Sequence, residues 1–91
     1  MKTFASVWDA IEDSGDVAES MKARATIMAP LQKAVRKWDV SQSEAAARLG
    51  ISQPRLNNLL QGKIDKFSLD ALVDLASRAG LKVRVAVGKA A

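Results

Sequence analysis

Two helix-start signals on either side of a glycine are the strongest structural constraint in this chain. Residues Ser41 to Glu44 form a capping box, in which the serine hydroxyl accepts from the Glu44 N–H and the carboxylate reaches back to the Ser41 N–H. Gly50 ends the helix that follows, because glycine tolerates a left-handed backbone. Ser52 then caps a second helix, with Pro54 in its first turn, where a missing N–H costs little. The segment therefore predicts two short helices joined by a tight turn.

The second of these helices has an apolar side and a polar side. Leu56, Leu59 and Leu60 recur at helical spacing and are predicted to be buried, with Ile51 packed on Leu56 as a hydrophobic staple. Ala46 on the first helix is small enough for the two helices to cross closely. The outward positions carry amides and a guanidinium, on Gln53, Arg55, Asn57, Asn58 and Gln61.

Helical periodicity also appears on both sides of this pair. A stretch from Val17 to Trp38 contains Pro30, where the helix either kinks or gives way to a new helix. A later helix begins at Ser68 as N-cap and ends at Gly80. Near the N-terminus, a short helix is predicted from an apolar stripe made of Phe4, Val7, Trp8 and Ile11.

The C-terminal residues alternate in polarity instead of following helical spacing. Val83, Val85 and Val87 share one side of an extended segment, which predicts a half-buried strand. A lone strand leaves its backbone groups unpaired, so it needs a partner. The hypothesis is antiparallel pairing with the same segment of a second copy, and the alternative is pairing with residues Thr3 to Val7.

These elements define a predicted architecture. The fold class is mainly α, a helix-turn-helix bundle of about five helices with one C-terminal β-strand pairing across a dimer. Residues 1–15 form an acidic amphipathic N-terminal segment, residues 16–80 the helix-turn-helix domain, and residues 81–91 the C-terminal strand and tail.

The amino-acid composition excludes several classes of function. With Cys 0 and His 0, the chain has no thiolate nucleophile, imidazole base or Cys/His zinc site. Glycine-rich phosphate loops and paired-acid motifs are also missing, so no enzyme, metal or cofactor is expected. The lack of cysteine fits a reducing cytoplasm. No apolar run approaches the ~20 residues that cross a bilayer, and the N-terminus does not resemble a signal peptide.

Charge is distributed unevenly along the chain. Residues 1–20 contain one lysine and five acidic residues, a net charge of −4. Residues 21–91 contain 13 Lys/Arg and five acidic residues, a net charge of +8. A basic domain preceded by an acidic N-terminal segment is typical of a polyanion-binding protein whose N-terminal segment has a separate function.

The paired helices resemble the helix-turn-helix signature of the Cro/phage-repressor-like (XRE) family. The matching residues are Gln42, Ala46, Gly50, Ile51, Gln53, Leu56 and Leu59. With the helix start at Phe67 and the valine-rich C-terminus, the chain is most similar to small HigA-type antitoxins. The resemblance implies a homodimeric autorepressor of a palindromic operator in double-stranded DNA. It also implies a prokaryotic, nucleoid-associated protein that neutralises a RelE-like toxin. A stand-alone regulator, for example of phage origin, is the alternative.

The resemblance assigns roles to the polar residues. Gln53 becomes a base reader and Gln42 its support, since amides bond adenine bidentately in the major groove. Asn57 and Asn58 match positions that face bases or phosphates, and Asn58 is predicted to point farthest from the leucines. The candidate DNA-binding residues are Gln42, Ser52, Gln53, Arg55, Asn57, Asn58, Gln61 and Lys63. Pro54 stands where related proteins often place another polar reader.

Other interpretations of these residues remain open. The amide face can be an ordinary solvated surface, and Arg55 can meet phosphate instead of a base. Lys63 is either a phosphate contact or a typical exposed lysine. We expect Arg48 to pair with Glu44 and Trp38 to lie in the core. The N-terminal apolar stripe either binds the toxin or packs on the protein's own helices.

Overall fold

The computed structural model describes residues 17–89, and within that range the fold is helical. It comprises four α-helices and one 3₁₀ turn: α1 (Val17–Lys37), α2 (Gln42–Leu49), α3 (Gln53–Leu60), the turn Ile64–Lys66, and α4 (Leu69–Arg78). Four of the roughly five predicted helices are therefore present. The remaining one, with Phe4, Val7, Trp8 and Ile11, lies outside the described residues.

Helix α1 continues through Pro30, so the sequence does not start a new helix there. Proline has no N–H and cannot donate to the Thr26 carbonyl, a loss that costs about 3 kcal/mol in an exposed helix. The Thr26 hydroxyl donates to the Lys22 carbonyl at 2.8 Å one turn earlier. Leu31 and Val35, both buried, anchor the second half of the helix in the core. Tertiary packing therefore outweighs the local preference for a break.

The core lies between α1, the paired helices and α4, and α1 packs mainly against α4. Its buried members are Met28, Leu31, Val35, Ala45, Ala46, Leu49, Leu56, Leu59, Phe67, Leu72 and Leu75. Ile51 and Trp38 pack against this cluster, as the sequence predicted, while Leu60, which was predicted to be buried with Leu56 and Leu59, is only partly buried. Leu56 and Leu59 of α3 are thus fully buried, which leaves Gln53 and Asn57 exposed.

The C-terminal segment, residues 81–89, forms no strand in the described chain. This differs from the prediction of a half-buried strand: Val83 is half-buried, but Val85 and Val87 are 42% and 64% exposed. A strand exists only when a neighbouring strand pairs with it, and residues 17–89 supply no such neighbour. The alternative partner, Thr3 to Val7, lies outside the described residues.

Candidate nucleic-acid interface

Helix α2 begins at the predicted serine cap. The Ser41 Oγ accepts a hydrogen bond from the Glu44 N–H at 3.1 Å. The Glu44 carboxylate is directed to Arg48, where its Oε1 accepts from Arg48 Nη2 at 3.3 Å, and the reciprocal bond of the predicted capping box, from the Ser41 N–H to this carboxylate, is not formed. The predicted Arg48–Glu44 ion pair is therefore confirmed. The Arg48 guanidinium also lies over the Trp38 ring, 5.2 Å from its centroid.

The turn between α2 and α3 depends on the backbone conformation of Gly50. Its φ of 69° and ψ of 32° are left-handed, as predicted. The N–H groups of Gly50 and Ile51 donate to the carbonyls of Ala47 and Ala46 at 3.1 and 3.0 Å, which is the Schellman arrangement. The Ser52 Oγ then accepts from a backbone N–H in the first turn of α3 at 3.2 Å. These bonds fix where α3 starts and how it leaves the turn.

Arg78 braces this turn from α4, a contact that no sequence pattern predicted. Its Nη1 donates to the Leu49 carbonyl at 3.1 Å, and its Nε pairs with Asp74 Oδ2 at 3.2 Å. The Asp74–Arg78 spacing of four residues signals only an ion pair on a helix surface. Because Arg78 reaches across the fold to the end of α2, it caps a carbonyl that the helix itself leaves unpaired.

Most of the candidate DNA-binding residues are exposed. Those that are exposed are Gln42, Ser52, Gln53, Asn57, Gln61 and Lys63. The Gln61 Nε2 donates to Asn57 Oδ1 at 3.4 Å, so these two amides are neighbours on the outer side of α3. Gln61 is also the C-cap residue that follows Leu60 at the end of α3.

Asn58 differs from the prediction that it would point farthest outward. Its side chain is half-buried, whereas Asn57 and Gln61 are exposed. The chain turns back after α3, and the Lys63 N–H donates to the Asn58 carbonyl at 3.1 Å. Helical periodicity predicts which side of α3 carries the leucines. It does not predict that the residues after the helix fold back and cover part of another side.

Arg55 lies apart from the amides, against the 3₁₀ turn. Its guanidinium carbon is 4.4 Å from the centroid of the Phe67 ring, and its Nη1 donates to the Lys66 carbonyl at 3.4 Å. Phe67 is almost fully buried, so the guanidinium covers one face of a core aromatic residue. One of the five guanidinium N–H groups of Arg55 is thus used within the protein.

The charges around α3 favour an anionic partner. No Asp or Glu occurs from Ala45 to Ile64, while Arg48, Arg55 and Lys63 lie in that stretch. Glu44, just before it, is paired with Arg48. A surface of amides with lysine at its edge and no carboxylate suits phosphate and base edges.

Within residues 17–89, no helix is both long and apolar enough to span a membrane. The same range holds no group of acidic side chains that could bind a metal ion.

Comparisons with known proteins place this geometry in a family. A family model described as a helix-turn-helix domain matches residues 10–88, which include all four helices. A solved structure named as an XRE family transcriptional regulator is similar, with a TM-score of 0.72 and 30% sequence identity, over 80% of this chain and 82% of that chain. A comparison with curated protein sequences found no match. The chain therefore belongs to the XRE family of helix-turn-helix transcriptional regulators.

Proposed function

We propose that this protein is a sequence-specific transcriptional repressor that inserts α3 into the major groove of operator DNA. The observation that carries the proposal is the exposed amide side of α3, with Gln53, Asn57 and Gln61 exposed and Leu56 and Leu59 buried. Repression follows from occupancy of the operator alone, with no catalytic step and no cofactor. The site of action is the nucleoid DNA in the cytoplasm of a prokaryotic cell.

The exposed side chains divide into two kinds of contact. Gln53 and Asn57 present amides that can donate to and accept from adenine N6 and N7 at the same time. Lys63 follows α3 and is exposed, so its ammonium can neutralise a phosphate beside the groove. Amides then supply sequence preference, and the lysine supplies affinity that depends on salt.

In vitro selection from a pool of randomised duplexes tests this function. The full chain is expected to enrich a defined sequence that it binds at least ~10³-fold more tightly than a scrambled duplex of equal length. Fluorescence anisotropy with the selected and scrambled duplexes gives the ratio of affinities. Enrichment of no sequence, or equal affinity for the two duplexes, contradicts the proposal.

A homodimer is part of the same proposal, because one helix-turn-helix unit reads too few base pairs for useful specificity. The C-terminal segment supports this assembly, since Val85 and Val87 are exposed and the backbone of residues 82–88 has no partner strand within residues 17–89. Half-sites of a palindrome lie about 34 Å apart, one turn of DNA, so a dimer formed by antiparallel pairing of two such segments has to place its two copies of α3 at that separation.

Deletion of residues 82–91 is expected to convert the dimer into a monomer, because the paired segments are then lost. Light scattering measures the mass, and anisotropy on palindromic and half-site duplexes measures the loss of palindrome preference. A chain shortened only by its last two residues serves as the control. An unchanged dimer mass after the longer deletion contradicts pairing through this segment.

We further propose that the regulator is the antitoxin of a toxin–antitoxin pair. Support comes from the sequence of residues 1–15, whose apolar stripe and acidic residues suit a basic RelE-like ribonuclease. The candidate contacts Phe4, Val7, Trp8 and Ile11 lie outside the described residues. A stand-alone regulator without a toxin is the second candidate. The similar solved structure favours it, because that protein is named only as an XRE family transcriptional regulator.

Removal of residues 1–15 is expected to abolish co-purification of a small basic protein encoded beside this gene, while binding to the selected duplex is retained. The result follows if the leader binds the partner and α3 binds DNA independently. The full chain, purified in parallel from the native host, is the control. A truncated protein that still captures the partner contradicts a role for the leader.

A further inference from the structure

The last four carbonyls of an α-helix have no partner inside the helix. In α3 these are the carbonyls of Asn57, Asn58, Leu59 and Leu60. The first two accept backbone N–H groups from the following turn at 2.9 and 3.1 Å. The Leu59 carbonyl accepts from the Gly62 N–H at 3.1 Å and also from a side chain of α1. The Leu60 carbonyl accepts from a second side chain of α1, so a distant helix completes the capping of α3.

Two residues one turn apart on α1 supply these bonds. Gln32 Nε2 donates to the Leu59 carbonyl at 2.8 Å, and Arg36 Nη2 donates to the Leu60 carbonyl at 3.0 Å. Gln32 is half-buried, and its amide lies over Gly62, where an added Cβ would be 3.5 Å from Nε2. Arg36 is exposed and brings a positive charge to the negative end of the α3 dipole.

Bonds to two successive carbonyls restrict a helix more than one bond does. Successive residues are about 100° apart around a helix axis, so the carbonyls of Leu59 and Leu60 lie at different positions around the end of α3. The burial of Leu56 and Leu59 excludes a large rotation of α3 about its own axis, but a single bond would restrain small rotations less than two bonds do. Two bonds from the same edge of α1 oppose that rotation, while the turn at Gly50 holds the other end.

We propose that Gln32 and Arg36 are positioning residues, which set the rotation of α3 and hence the direction in which Gln53 and Asn57 enter the groove. The inference rests on the proposed function. Neither residue needs to touch DNA for this role. Base contacts tolerate displacements of only about 0.5 Å, whereas contacts to a regular phosphate backbone tolerate more. Loss of the two caps therefore affects sequence preference before it affects general affinity.

The test compares variants of the full chain on the selected duplex and on its scrambled counterpart. Gln32→Leu keeps the size of the side chain and removes the donor, and Arg36→Met does the same at the second cap. Each is expected to reduce the ratio of the two affinities about tenfold, the loss of roughly one base contact. Arg36→Lys keeps a donor and a charge, and it is expected to retain most of the ratio.

Lys33→Met is the matched control for the loss of charge on α1. The Lys33 side chain is exposed and makes no hydrogen bond or ion pair with any other residue in the range 17–89. Its removal is expected to lower affinity for both duplexes equally, if at all, so the ratio stays unchanged.

Circular dichroism at the binding temperature checks that each variant is folded. If Gln32→Leu does not fold, Arg36→Met still tests the inference, because Arg36 is exposed and its substitution does not disturb the core. A purely structural role would lower the melting temperature and leave the ratio of affinities unchanged, which overturns the inference. Selection of no duplex by the wild-type chain overturns the proposed function, and the inference falls with it. Selection by the wild type with an unchanged ratio in Arg36→Met overturns the inference alone.

Discussion

Gln53→Ala is expected to weaken binding to the selected duplex about 5- to 150-fold and to leave binding to the scrambled duplex unchanged. The reason is that one bidentate amide–adenine pair discriminates by ~1–3 kcal/mol. Gln53 is exposed in the first turn of α3, and the cap of that helix is the Ser52 hydroxyl. Alanine is a good helix former, so the substitution removes the contact and keeps the helix. Fluorescence anisotropy on the two duplexes measures the effect.

Lys63→Ala is the matched control for this experiment. It removes the proposed phosphate contact and is expected to weaken binding to both duplexes, lowering the magnitude of the slope of log affinity against log salt by ~1. If Gln53→Ala reduced the affinity for both duplexes equally, Gln53 would contact the DNA phosphate backbone and not a base. The pair of variants thus separates sequence recognition from charge attraction on the same surface.

Gly50→Ala is expected to reduce the free energy of unfolding by about 2–3 kcal/mol. A left-handed backbone costs a non-glycine residue ~1–2 kcal/mol, and Gly50 has a φ of 69°. The added Cβ would also collide with Arg78 Nη1. Displacement of the guanidinium removes its hydrogen bond to the Leu49 carbonyl, worth about 1 kcal/mol. Urea denaturation followed by circular dichroism measures the change, and the melting temperature should fall by roughly 10–20 °C.

A double-mutant cycle separates the two causes. In an Arg78→Ala background the collision is absent, so Gly50→Ala is expected to cost only the ~1–2 kcal/mol of backbone strain. Gly88→Ala is the control, because a Cβ at Gly88 meets no atom within 4 Å. Wild-type stability of Gly50→Ala would show that the turn does not require the left-handed conformation.

Local signals in the sequence predicted the frame of the fold. Ser41, Ser52 and Ser68 each accept a hydrogen bond from the backbone N–H three residues later, as their position before helical segments predicted. Gly50 has the expected left-handed backbone, and Leu56 is buried. These features depend on residues within one or two turns of each other, so a short window of sequence contains the whole cause.

Contacts between distant residues could not be predicted in this way. Gln32, Arg36 and Arg78 cap helix ends that are 24 to 29 residues away in the chain. Arg55 likewise covers the Phe67 ring instead of joining the amides. A long polar side chain on a helix has the same local pattern whether it is solvated or bound to a distant carbonyl, so only the tertiary arrangement distinguishes the two.

The exposed side of α3 was predictable because it depends only on the local helical periodicity. Gln53 and Asn57 are exposed because Leu56 and Leu59 recur at helical spacing and face the core, which turns the other side of the helix outward. The partial burial of Asn58 follows from the course of the chain after α3, which periodicity does not describe. Strand formation at Val85 and Val87 depends on a second strand, and a single sequence does not specify whether that strand comes from another molecule.

Helix α3 is fastened through main-chain oxygens, and every amino acid offers the same oxygen. Substitutions at the outward positions 53, 57 and 61 therefore leave the attachments at Leu59 and Leu60 intact. On the proposed function, relatives with the same scaffold can diverge in operator choice through a few codon changes, without renewed selection for folding. The scaffold is then a suitable starting point for reprogramming DNA preference by exchanging those three side chains.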